Sequence, residues 1–128
     1  MYIEKKRVGD DQETRVLRVI RCRVGEAPEA ATIQPGSEAI RREVAGFFGE
    51  VELSASRITA YVNDDGERLG LPVNRTVITH DGQPRTIRGN FFLAIRTPKG
   101  TLVGFTPNQL QDLMQKIQAG NSGLFAAE

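Results

Sequence analysis

The chain has 128 residues, 26% of them charged, and its 17 lysines and arginines nearly cancel its 16 aspartates and glutamates to leave a net charge of +1. A chain of this length buries roughly two thirds of the surface its unfolded form exposes, which is enough for one domain with a core that needs no staple. The balanced charge speaks against general nucleic-acid binding, the single Cys22 rules out an internal disulfide, and Cys22 with the single His80 assembles no recognisable zinc site.

The expectations are therefore no metal, no cofactor and no general nucleic-acid partner. The opening "MYIEKKRVGDDQETR" has no apolar h-region, and no run of about 18 apolar residues follows it. Neither secretion nor membrane spanning is expected, and a reducing cytoplasm is the expected compartment. Residues 1–14 read as a charged extension, with "YIEKKRV" able to pair as an edge strand. Residues 15–120 read as one α+β domain, and 121–128 as a mobile tail whose Leu124 and Phe125 could dock on a neighbour.

From Arg15 to Val24, "RVLRVIRCRV" alternates in β-branched residues and predicts a strand, with Arg21 and Arg23 opposite the face of Ile20 and Cys22. The turn "GEAPEA" leads to a returning strand over Ala30–Gln34, which Pro35 and Gly36 end. Ser37 reads as the cap of a short helix to about Ala45, with Ile40 and Val44 inward and Gly46 as its stop. Two strands follow, Gly49–Leu53 and Arg57–Asn63, and Asp65-Gly66 reads as a tight hairpin turn. "NFFLAI" and "TLVGF" form a hairpin across Thr97-Pro98-Lys99-Gly100. Thr106-Pro107-Asn108-Gln109 is a complete capping signature for a helix to about Ala119, with Leu110, Leu113, Met114 and Ile117 as its apolar stripe. The fold class is α+β: a mostly antiparallel sheet of about five to seven strands with two helices, the longer one C-terminal.

Candidate chemistry is sparse. Cys22 sits on the apolar face of a strand and reads as an inert thiol. His80 precedes the turn dipeptide Asp81-Gly82 and could be oriented by Asp81. Asp64, Asp65 and Glu67 lack the length and alternation of a calcium loop. Thirteen of the basic residues are arginines, the group that forks onto carboxylate or phosphate, and Arg21, Arg23, Arg75 and Arg88 lie at strand ends or in loops. The stretch "NDDGERLGLPVNR", Asn63 to Arg75, reads as a recognition loop: Leu69 and Leu71 anchor it, Gly70 turns it, Pro72 stiffens it, and Asn63, Asn74 and Arg75 offer donors. The alternative is that the two asparagines bond backbone groups at strand ends.

The segments "VLRVIRCRVGEAPE", "GFFGEVEL", "NDDGERLGLPVNR" and "IRGNFFLAI", followed by the capped terminal helix, resemble the family catalogued as domain of unknown function 3846, over about Val16 to Ile117. The resemblance implies a phage or mobile-element protein acting in the host cytoplasm, and carries no activity with it. The expected function is a non-enzymatic binding module acting by occupancy, in counter-defence, on a host protein or on a small anionic, nucleotide-like ligand held by Asn63, Asn74, Arg75, Arg88, Arg21 and Arg23. One alternative is a small hydrolase or nucleotide-modifying enzyme using His80 with Asp81 or another carboxylate, which requires His80 to share a cleft with Arg75 or Arg88. Another is an assembly subunit that forms homo-oligomers through edge strands or the C-terminal tail.

Overall fold

In the computed structural model, residues 16–55 and 57–126 are described. The edge strand expected over "YIEKKRV" and the rest of the charged extension lie outside the described residues. In chain order the elements are β1 (Leu17–Cys22), β2 (Glu29–Ile33), α1 (Ser37–Val44), β3 (Phe48–Glu52), β4 (Ile58–Asn63), β5 (Val73–Ile78), β6 (Pro84–Arg88), β7 (Phe91–Arg96), β8 (Leu102–Val103) and α2 (Pro107–Ala119). The architecture is α+β, and every strand pairing is antiparallel.

Six strands form the main sheet, in the order β2-β1-β7-β4-β3, with β8 joining β7 beyond the point where β1 stops pairing. β7 sits at its centre and is apolar on both faces, the pattern that burial from two sides demands. β4 is buried along its whole length. Its side chains alternate between two cores: Ile58, Ala60 and Val62 face one, and Tyr61 faces the other with Phe92.

The two helices cover opposite faces. Ile40 of α1 packs with Leu17, Val19, Tyr61 and Phe92 on one side. On the other side Leu113 of α2, with the half-buried Leu110, Met114 and Ile117, packs with Ile20, Leu93 and Ile58. That second face also carries the separate β5-β6 hairpin through Val77 and Ile87. The molecule is therefore a helix, a sheet, and a second layer made of a hairpin and a helix.

Local signals explain most element boundaries. The side chain of Thr106 accepts from the Gln109 amide at 3.1 Å, and Gln109 Oε1 accepts from the Thr106 amide at 2.8 Å, completing the capping box. Gly104 is required by close approach, because a Cβ there would lie 2.4 Å from the Arg18 amide nitrogen.

Three expectations need correction. Ser37 does not cap α1: the N-cap is Gly36, which has no side chain to offer, and Ser37 is the first helical residue. Gly46 is not the left-handed stop either, because that conformation falls on Ala45, at φ 63°. Asp65-Gly66 does not join a hairpin, since β4 pairs with β3 and β7 while β5 pairs with β6 in another sheet. Residues 64–70 instead coil tightly, with the Leu69 amide donating to Asp65 O and the Leu71 amide to Gly66 O.

The C-terminal segment, expected from its composition to be loose, lies against β5. The Ile78 amide donates to Leu124 O and the Ala126 amide to Thr76 O, while the Leu124 side chain is fully buried in the chain's own core. An apolar residue spaced to reach the open edge of β5 outweighs the flexibility of the serine and glycines before it.

Candidate functional site

The Asn63–Arg75 stretch leaves the sheet at the end where β4 and β1 finish and β3, β5 and β7 begin. Its two asparagines turn inward, while Asp64, Glu67 and Arg68 stay exposed. Asn63 is buried: Nδ2 donates to Val44 O at 3.0 Å and Ala45 O at 3.3 Å, and Oδ1 accepts from the Asp65 amide at 2.8 Å. It thus closes the C-terminus of α1, holds the left-handed Ala45, and starts the coil. Gly46 serves this contact, since a Cβ there would lie 2.8 Å from Asn63 Nδ2.

Asn74 performs the same task farther along. Its Nδ2 donates to Cys22 O at 2.9 Å and Gly89 O at 2.8 Å, joining β1 to the turn between β6 and β7. Its Oδ1 accepts from Arg75 Nε at 2.8 Å. Arg75 Nη2 donates to the carbonyls of Arg23 and Glu26, and its guanidinium lies 5.7 Å from the centre of the Phe125 ring. Arg88 Nη1 donates to Leu71 O at 2.9 Å. Arg21 forks onto Glu43 at 2.8 and 2.9 Å, a hydrogen bond that raises its pKa further, and Arg23 lies 3.5 Å from Glu29.

The structure brings Arg21, Arg23, Asn74 and Arg75 to one end of the sheet, but each is engaged within the chain. Asn63 and Arg88 line a different cavity of about 510 Å³, together with Asp64, Glu67 and Arg85. The apolar residues of the stretch behave oppositely. Leu71 is half-buried and sits against Gly89, where a Cβ would clash with Leu71 Cδ1 at 2.7 Å, so Leu71 is an anchor. Leu69, expected to be the second anchor, is 52% exposed.

The large exposed apolar side chains among the described residues are Leu69, Val73 and Phe47, the last 70% exposed. All three are at this end of the sheet: the Asp64 amide donates to Phe47 O, and Val73 pairs with Arg88. Sequence reasoning missed Phe47 and misassigned Leu69. Nothing in residue type separates an outward leucine from an anchoring one two positions away.

His80 and Asp81 lie at the opposite end of β3, where the His80 amide donates to Glu52 O. The Thr79 hydroxyl donates to the Asp81 carboxylate and holds its pKa below the usual range. His80 lines a cavity of about 390 Å³ with Glu50, Glu52, Arg85 and Arg96. Arg75 and Arg88 are not among the residues that line it, and Arg85 lines both this cavity and the one beside Asn63 and Arg88. Cys22 is fully buried, and burial pushes its thiol up to about 12, against the opposing charge of Arg75, so it stays protonated. Among the described residues no group of three His, Cys, Asp or Glu side chains could hold a metal ion, and no helix is long and apolar enough to cross a membrane.

Among the described strands β3 and β2 stand at the two ends of the main sheet and carry charge: Glu50 and Glu52 on β3 and Glu29 on β2 are exposed, the usual guard against edge-to-edge pairing.

Fold and site together define a small α+β domain whose loop end is tied down from within by Asn63 and Asn74 and exposes Phe47, Leu69 and Val73 beside charged side chains. The chain belongs to the family described as domain of unknown function (DUF3846), whose model matches residues 17–118. No curated protein and no solved structure matches it.

Proposed function

We propose that the chain is a non-enzymatic binding module that occupies a surface of another protein with the loop end of its sheet. The observation that carries this reading is the gathering of Phe47, Leu69 and Val73 at that end, on backbone fixed from within by Asn63 and Asn74. Apolar side chains held outward on rigid turns are what a protein partner buries at the centre of an interface. A small anionic ligand is less favoured, because Arg21, Arg75 and Arg88 already spend their guanidiniums on partners within the chain. The family resemblance supports a host protein of a phage or mobile element as the partner.

The test is native mass spectrometry of the tagged chain isolated from the cells that carry it, compared with a Leu69→Glu/Val73→Glu variant. The expected result is a discrete complex with a second protein, lost in the variant at unchanged melting temperature. A complex that survives both charges places the contact elsewhere, and a complex of two copies of this chain replaces the host partner with self-association.

A further inference from the structure

The β5-β6 hairpin is a sheet of only two strands, and a two-stranded ribbon is marginal by itself. The segment after α2 supplies a third. Phe125 bridges antiparallel to Val77, the Ile78 amide donates to Leu124 O, and the Ala126 amide donates to Thr76 O, so residues 124–126 run along the outer side of β5. Just before them the Ser54 hydroxyl donates to Gly123 O at 2.8 Å. Among residues 121–126 only Leu124 is buried, in the core that also holds Val77 and Leu113, while Phe125 and Ala126 are half-buried. Gly120 at φ 75° and Gly123 at φ 76° bracket the turn that leads from α2 into this strand. The strand is thus anchored by one side chain and hinged at its base. It pairs with β5 and with no strand of the main sheet, so it can leave without opening that sheet.

Phe125 carries the strand's influence to the loop end. Its ring centre lies 5.7 Å from the Arg75 guanidinium, within the range of a cation–π contact. That guanidinium donates from Nη2 to Arg23 O and Glu26 O in the β1-β2 turn, and from Nε to Asn74 Oδ1. Asn74 in turn holds Cys22 O and Gly89 O, and directly precedes nothing more rigid than the exposed Val73. Phe125, Arg75 and Asn74 therefore form one line of contacts from the C-terminal strand to two turns and to a residue of the apolar surface.

We propose that residues 121–126 are a strap that, when docked, holds the loop end in the form that binds its partner. Releasing Leu124 from the core loosens Val73, Asn74 and the β1-β2 turn together. Docked and released strap are the two arrangements that such coupling requires. Phe125 is its positioning residue, acting on the surface through Arg75 and Asn74. For its consequence the inference rests on the protein-binding reading of Phe47, Leu69 and Val73, and for its cause on the contacts of Phe125.

The experiment is hydrogen-deuterium exchange of the full chain and of its Leu124→Asp, Phe125→Ala and Phe125→Tyr variants, set beside native mass spectrometry of the partner complex. Leu124→Asp should speed exchange at least about tenfold over residues 23–26 and 73–76 and leave β7 unchanged, the pattern of local opening. Phe125→Ala should speed the same two segments about two- to fivefold, the worth of a cation–π contact at a partly exposed site. Phe125→Tyr keeps the ring and should restore the wild-type rates. The partner complex should weaken in Phe125→Ala and return in Phe125→Tyr. The inference is overturned if both segments exchange at the wild-type rate in Leu124→Asp, if β7 speeds up equally in Leu124→Asp and Phe125→Ala, or if the segments loosen while the complex is unchanged. If the wild-type chain forms no complex, the protein-binding reading fails, and the exchange rates alone decide whether the strap holds the loop end.

Discussion

The Asn63–Arg75 stretch and the region of β3, β4 and β7 around Thr59 treat their polar side chains in opposite ways. In the stretch, the amides of Asn63 and Asn74 and the guanidinium of Arg75 are spent on the chain's own carbonyls, as is that of the neighbouring Arg88, while Leu69 and Val73 reach the surface beside the charged Asp64, Glu67 and Arg68. Around Thr59, Glu52 and Arg57 have no ion-pair partner among the described residues, and the buried Tyr61 hydroxyl has no hydrogen-bond partner among them. The difference teaches that a polar residue in a loop marks recognition only if its hydrogen-bonding capacity is unspent. Spent groups contribute stability, whereas unspent buried groups subtract from it.

The largest effect that would sharpen this contrast is alkaline. Cys22 and Tyr61 ionise in the folded state near 12, above their ordinary values of 9.0 and 10.0. The folded state therefore binds more protons than the unfolded state across that range. This contribution to stability is whole below about pH 9 and lost as pH rises toward 12, by up to several kcal/mol. Denaturant unfolding at about pH 8 and about pH 11 checks the sign. Tyr61→Phe and Cys22→Ser should each make the decline shallower, and equal slopes in all three proteins would break the assignment.

Next in size, Phe92→Ala removes the ring beneath Tyr61 at the centre of the sheet, where it is fully buried. It should cost about 3–5 kcal/mol in chemical denaturation. A loss below about 1 kcal/mol would mean that the α1 side of the sheet is no core. Asn63→Ala should cost about 2–3 kcal/mol, because the carbonyls of Val44 and Ala45 and the amide of Asp65 lose their partner together. If instead it left stability intact and removed only binding, Asn63 would belong with the unspent groups. Smallest of all, Leu69→Glu should change stability by less than about 0.5 kcal/mol, since the side chain is 52% exposed. A clear fall in melting temperature would return Leu69 to the role of anchor.

The parts of the fold that were legible in the sequence are those built from near neighbours. The Thr106 capping box, the turn at Pro98-Lys99-Gly100 and the alternation of β1 are each decided within a few residues, and each is found where the pattern places it. The span of α1 was legible, but its stop was assigned one residue late, because its C-terminal cap is supplied by Asn63, 19 residues from Val44. The separation of β5 and β6 into their own sheet was equally hidden, since Asp65-Gly66 suits a hairpin and the pairing of β4 with β7 overrides it. The family was legible from its segments. The candidate site residues were legible only as residue types: whether a side chain is spent depends on carbonyls as far away as Cys22 from Asn74, which no local pattern reveals.

The place of β7 has a consequence for how the molecule comes to exist. β1 and β4 each pair with one early neighbour, β2 and β3, and otherwise with β7 alone. Two hairpins can thus form as the chain leaves the ribosome, but nothing in the sheet joins them until residues 91–96 have been made. Until then the inner edges of β1 and β4 are open, with Ile20 and Ala60, two residues that end wholly buried, on them. Closure waits for contacts of long sequence separation, which slow folding and prolong the exposure of edges that invite wrong pairing. A chain interrupted before Phe91 holds two sheet halves with no centre, so the last third of the sequence governs whether the first two thirds fold or aggregate.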